Sequence, residues 1–233
     1  VDNFKISDWI AVDKDTSSLT KNEQDDIFKR GTVISIKHKS IFEPVLSVIQ
    51  KIDGHNLYFR IPEMFLKSNV FKGDQIFCNI MQGQFEYIIN GQISEIDINY
   101  PWLVEVAASE IQKVKNSRKT KRYLVNFQSR IFSNTQGKSM YAIIKNIGMY
   151  GVGAVFKDNI DPECLVNVSV SASVNKGENL EFKARVVRVV ERGAFNEYGL
   201  EIVEIDDHNK DMLDKLIYRL ECDETEYVLD CLK

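Results

Sequence analysis

Proline is scarce in this chain of 233 residues, with only 4, and cysteine is equally sparse, also with 4. Cys78, Cys164, Cys222 and Cys231 are widely and irregularly spaced, and none belongs to a CxxC pair. That spacing argues against a disulfide framework and against a structural zinc site, and it predicts reduced thiols. Histidine occurs three times, at His38, His55 and His208, with no HExxH pattern and no nearby serine or cysteine nucleophile signature. No metal and no other cofactor is therefore expected. Without a positioned nucleophile, general base or metal set, the chain does not read as an enzyme. No apolar run approaches the ~18–20 residues that span a bilayer. The opening VDNFKISDWIAVDKD lacks the basic-then-apolar layout of a secretion signal. A cytoplasmic protein with no membrane insertion is the expectation.

A second absence is local. From Ile111 to Lys157 there is no acidic residue, although Asp and Glu total 34 in the chain. The same window carries ten basic residues, four of them in the five-residue stretch Arg118–Lys119–Thr120–Lys121–Arg122. The rest of the chain sets 20 basic residues against all 34 acidic ones. The implication is a local anion-binding surface on an acidic protein. Taken alone, such a run also fits a solvated linker. A nucleic-acid surface is disfavoured, because the overall balance is acidic and few aromatics are interleaved with the basic residues.

The residues that are plentiful are those of β-structure. GTVISIK (31–37), EPVLSVIQKI (43–52), HNLYFRI (55–61), DQIFCNIM (74–81) and QFEYIINGQISEI (84–96) read as strands, with Gly31, Asp53-Gly54, Gly73-Asp74, Gly83 and Asn90-Gly91 as turns. RYLVNFQSRIF (122–132), KSMYAIIKNI (138–147), VGAVF (152–156), LVNVSVSASV (165–174), LEFKARVVRVV (180–190) and YGLEIVEI (198–205) repeat the pattern. In LVNVSVSASV, Val166, Val168, Val170, Ala172 and Val174 follow the period-2 rule of a strand face. The end changes period: Met212, Leu213, Leu216, Ile217 and Leu220 fall at helical spacing behind Asp206 and Asp207, which suit a helix start. The expected fold is mainly β, in two domains, each a small antiparallel β-barrel, with a C-terminal α-helix on the second. The expected division is a first barrel over residues 1–107 (1–30 as a polar arm), a basic linker over 108–121, and a second barrel with its helix over 122–233.

The arginines and the turn that follows carry a resemblance. Arg118–Lys119–Thr120–Lys121–Arg122 fits RxxxR, and Asn146–Ile147–Gly148–Met149–Tyr150–Gly151 fits [D/N]xSxxG at its first and last positions. Their order, their separation and the flanking strands resemble the PilZ domain, the receptor module for cyclic di-GMP. The first half, with LYFRIP, KGDQIF and PWLVEV, resembles the barrel that precedes PilZ in flagellar-brake-type proteins (YcgR-like). The resemblance covers roughly residues 25–220.

It implies a ligand, cyclic di-GMP, and a site. Arg118 and Arg122 would bind its phosphates and guanines, and Asn146 would hydrogen-bond a guanine edge. Gly148 and Gly151 complete the motif, with Gly151 giving the backbone freedom of a tight turn. Lys119 and Lys121 match no fixed position and add attraction for a dianion. It also implies a change in domain arrangement on binding, and a protein partner such as a flagellar motor component or a polysaccharide synthase, with motility or exopolysaccharide production as the regulated process. The chain departs from the motif at Gly148, where the family has Ser. One hydroxyl to the ligand is lost, and Gly148→Ser is expected to tighten binding. The alternative is a degenerate PilZ scaffold that binds no nucleotide and acts through protein–protein contacts.

Overall fold

The computed structural model describes residues 27–41, 44–116, 120–175 and 177–232. Most of the expected polar arm, residues 1–26, therefore lies outside the described residues. The chain divides into two units: residues 119–226 form one, and the remainder, including residues 227–233, forms the other.

The first unit is built from β1 (Val33–Lys37), β2 (Val45–Asp53), β3 (Asn56–Arg60), a single-turn helix α1 (Glu63–Leu66), β4 (Gln75–Gln82), β5 (Phe85–Asp97) and β6 (Leu103–Lys115). The strands close into a barrel in the order β1-β2-β3-β6-β5-β4, and β4 pairs back to β1. Ile34, Ile36, Ile49, Phe59, Ile76, Ile89, Val104 and Val106 fill its interior. The second unit contains β7 (Tyr123–Ser133), β8 (Lys138–Gly148), β9 (Gly151–Phe156), β10 (Leu165–Val170), β11 (Leu180–Glu191) and β12 (Asn196–Glu204). Its closed order is β10-β11-β12-β9-β8-β7. Read from β7 onward, this is the connectivity of the first barrel repeated. Every pairing in both barrels is antiparallel. Full closure removes the exposed strand edges that would invite pairing with other chains.

Alternation explains the second core. Val166, Val168 and Val170 of β10 and Leu180, Phe182, Ala184 and Val186 of β11 point inward. Burying an apolar side chain of this size contributes about 1.5–3 kcal/mol. Tyr198 carries a hydroxyl into that interior. Its ring stacks on Phe156 at 3.9 Å between centroids. Its hydroxyl donates to the Asp158 carbonyl at 2.7 Å, so the buried oxygen is satisfied.

The helix α2 (Asp207–Cys231) follows β12. Asp206 caps it: Oδ1 accepts the Asn209 amide at 2.8 Å. The Asn209 side chain in turn accepts the Glu181 amide of β11 at 2.7 Å, which fixes the helix start on the second barrel. Met212, Leu213 and Leu216 then enter the barrel core. At the other end, within the first unit, Gln50, Arg60 and Arg30 donate to the carbonyls of Cys231, Asp230 and Leu232. These are carbonyls that a helix C-terminus leaves without internal partners.

Four sequence expectations change. Asn90-Gly91 is not a turn but an irregularity inside the continuous strand β5. A Cβ on Gly91 would lie 2.6 Å from Val106 Cγ1 and 2.8 Å from the Ala107 carbonyl, so the glycine permits close strand approach. The expected linker 108–121 is strand as far as Lys115, paired to β5 at Phe85. Small and polar residues at 107–110 hide its alternation. β10 ends at Val170 rather than continuing to Val174, because Ser173 turns the chain with φ of 51°. Finally, α2 runs on to Cys231, well past Leu220, where the apolar stripe that announced it ends.

Candidate functional site

The motif residues that can be placed gather on the outer wall of the second barrel, and two β-bulges put them there. Met140, Ala142 and Ile144 of β8 face inward. Period 2 would send Asn146 inward next. Instead the ladder slips between Ile144 and Asn146, and Ile147 takes the interior position. One extra residue flips every later side chain to the opposite face. Asn146 and Gly148 thus face outward.

The same device operates on β11. Val186 faces inward, the ladder with β12 slips between Val186 and Arg188, and Val189 packs on the core. Arg188 is exposed on the outer wall. The two slips lie at one level of the barrel. Asn146 pairs with Gly153, Gly153 with Gly199, and Gly199 with Arg188. A single row therefore crosses four strands, β8-β9-β12-β11, with a side-chain amide at one end, a guanidinium at the other and two glycines between. Three strand spacings separate the ends, or about 14 Å. A Cβ on Gly153 would lie 2.4 Å from Asn146 Nδ2, so the Asn146 amide lies flat over that glycine.

Arg122 enters from the start of β7. Its Nη1 donates to Asn146 Oδ1 at 3.4 Å. This contact joins the second arginine of RxxxR to the first residue of the turn motif, 24 positions apart. Gly148 lies beneath that arginine. A Cβ there would meet the Lys121 carbonyl at 2.8 Å and Arg122 Cγ at 3.1 Å. Gly151 pairs with Gly148 across a two-residue turn, Met149-Tyr150. Gly151 is not one of the glycines with positive φ. Its requirement is steric: a Cβ would lie 2.5 Å from the Leu200 carbonyl. Tyr150, at the tip, leaves its ring exposed.

Lys121 points toward α2. Its Nζ pairs with Glu224 Oε1 and lies 4.9 Å from the centroid of the Tyr123 ring. Burial, and then the nearby carboxylates of Glu221 and Glu224, push the Tyr123 phenol above its usual range. Arg118 and Lys119, which the sequence reading puts in the site, lie outside the described residues.

Sequence reading missed Gly153, Gly199 and Arg188. The signal for the last was present. Arg185 and Arg188 sit three apart in ARVVRVV, and a regular strand would place them on opposite faces. Both are on the outer wall, which only a bulge allows. Among the described residues, no cluster of three or more His, Cys, Asp or Glu is arranged to hold a metal ion. Among the same residues, no helix is long and apolar enough to cross a membrane.

No curated protein matches the chain by sequence. Among solved structures, the chain is similar to YcgR from Escherichia coli in complex with c-di-GMP, with 10% identity, 90% of this chain and 92% of that chain covered, and a TM-score of 0.46. It is similar to the K. pneumonia MrkH–c-di-GMP complex, with 12% identity, 89% and 93% coverage and a TM-score of 0.46. It is also similar to the Bacillus subtilis inhibitor of motility MotI/DgrA, with 12% identity, 84% and 99% coverage and a TM-score of 0.41. The model of the PilZ domain matches residues 116–219, the stretch that holds both motifs, both bulges and the anchored start of α2. The second barrel of this chain lies within the stretch that matches the PilZ domain.

Proposed function

We propose that this chain is a receptor for cyclic di-GMP, bound on the outer wall of the PilZ barrel between Arg122, Asn146 and the glycine row. The observation that carries the reading is the meeting of Arg122 with Asn146 above a wall stripped of side chains at Gly148, Gly151, Gly153 and Gly199. A planar base can rest on backbone where no Cβ intervenes. The Asn146 amide offers both a donor and an acceptor to a guanine edge. Arginine supplies a planar fork for phosphate or for the O6/N7 edge of guanine. Arg118, Lys119 and Lys121 add positive charge for the two phosphates, and Arg188 closes the far end of the row. Fixing residues 116–121 on a dianion would set the arrangement of the two barrels, an order–disorder device. The changed surface would then meet a protein partner in the control of motility or exopolysaccharide production. The role is that of a receptor, not an enzyme.

Titration calorimetry with cyclic di-GMP tests the reading. Saturable binding to the intact chain is expected, abolished by Arg122→Ala and Asn146→Ala. Arg188→Ala is expected to weaken it about tenfold, the scale of one hydrogen bond to a charged group. No heat at high micromolar ligand would instead favour a PilZ scaffold that has lost its nucleotide. The observation on that side is Gly148, where the motif's hydroxyl is missing.

A further inference from the structure

The acid-free stretch of the sequence has an acid partner after all, and it comes from the far end of the chain. The Lys121 ammonium pairs with the carboxylate of Glu224, 103 positions away on α2. Glu224 is the more enclosed partner, with a side chain 18% exposed against 50% for Lys121. Glu221 is one helical turn earlier, and both carboxylates act on the buried Tyr123 at the start of β7. Their position is not left to chance. Met212, Leu213 and Leu216 root the helix in the barrel core, and Arg219 donates to the carbonyls of Ala172 and Ser173. Glu224 follows that last anchor by five residues, about 7.5 Å along a rigid helix.

We infer that α2 supplies an internal counter-anion to the ligand site: Glu224, seconded by Glu221, occupies Lys121 in the free protein and competes with the phosphates of an incoming dianionic ligand. This rests on the reading of the barrel wall as an anionic-ligand site. The helix contributes a fixed negative field at the point where β7 delivers Arg122, so each binding event must displace the Glu224 carboxylate or tolerate it. Removing that charge lowers the apparent dissociation constant. The effect is electrostatic and shrinks as salt rises, because screening weakens the carboxylate's repulsion of the phosphates.

Two measurements on the full chain test this separately from the ligand assignment. The first needs no ligand: the rate at which an amine-reactive acetylating reagent modifies Lys121, followed by mass spectrometry. Glu224→Gln is expected to raise that rate several-fold over the wild type, and an unchanged rate would overturn the pairing. The second is calorimetry with cyclic di-GMP. Glu224→Gln is expected to bind about three- to tenfold tighter at low salt, with the advantage fading toward high salt. Equal or weaker binding by the variant would overturn the competition, the latter by making Glu224 a support for Lys121 instead. If neither wild type nor variant binds cyclic di-GMP, the ligand assignment fails. A raised Lys121 labelling rate would still uphold the ion pair, and the same titration with inorganic pyrophosphate then decides the competition by the same two outcomes.

Discussion

At the scale of single residues, Gly148 is the position where structure alters the chemistry read from sequence. A serine there supplies a hydroxyl in the family motif, and its absence reads as one missing hydrogen bond to ligand. In this chain the missing side chain is also room. A Cβ at 148 would lie 2.8 Å from the Lys121 carbonyl, a backbone atom that cannot rotate away. The backbone at Lys121–Arg122 has closed onto the glycine. Gly148→Ser therefore forces that backbone outward, and overpacking of this kind costs about 1–3 kcal/mol. The expected outcome is a lower urea midpoint for the second barrel, with binding of cyclic di-GMP no tighter than in the wild type. A variant that keeps its midpoint and binds tighter would restore the simple reading of a lost hydroxyl. Gly148 and Arg122 are thus a matched pair in this chain.

At the scale of elements, what could be read from sequence was what regular periodicity encodes. The strands β1 to β5 and β7 to β12, the start of α2 and the two-barrel fold were legible because alternation and turn residues carry them. β6 was not, since Ala107, Ala108 and Ser109 carry too little hydrophobic contrast to show a face. The end of α2 was not, because CDETEYVLDC has no apolar stripe against the second barrel; its last residues group with the first. Half of the candidate site was legible as motif. The other half, Gly153, Gly199 and Arg188, depends on which residues of distant strands pair, and two bulges decide that. Irregularity is the information here: Lys145-Asn146 and Val187-Arg188 break alternation where the row is built. The helix start makes a separable claim. Asp206 accepts the Asn209 amide and also holds the Asn209 side chain at 2.8 Å, and both bonds hold its carboxyl below the usual range. Asp206→Ala should lower the melting temperature of the second barrel by about 5 °C. Asp206→Asn, which keeps a capping oxygen, should recover most of the loss. Calorimetric melts of the three proteins measure both.

For the molecule as a whole, the pH dependence of stability points one way. His38 is fully buried at the end of β1. Its Nδ1 accepts the Ser40 amide at 3.1 Å, which leaves the proton on Nε2, 3.3 Å from Asp74 Oδ2. Burial lowers the His38 pKa below 6.5, and this outweighs the pull of Asp74 in the other direction. Asp74 is itself held below 3.8, first by the Phe71 amide at 2.9 Å and then by Lys39. The signs agree. An unfolded chain takes up a proton at His38 as pH falls through 6.5, while the folded barrel resists it, so stability is fully present above that pH and declines below it. The contribution of Asp74 is present above 3.8 and is lost as pH falls through its lower folded value. The urea midpoint of the first barrel should therefore drop in two stages on acidification, one beginning near pH 6.5 and one below pH 4. His38→Gln should flatten the first stage and leave the second, whereas Asp74→Asn should remove the second. A midpoint that rises between pH 7 and 5 would mean that His38 gains its proton more readily in the fold than out of it, with the Asp74 attraction overcoming burial.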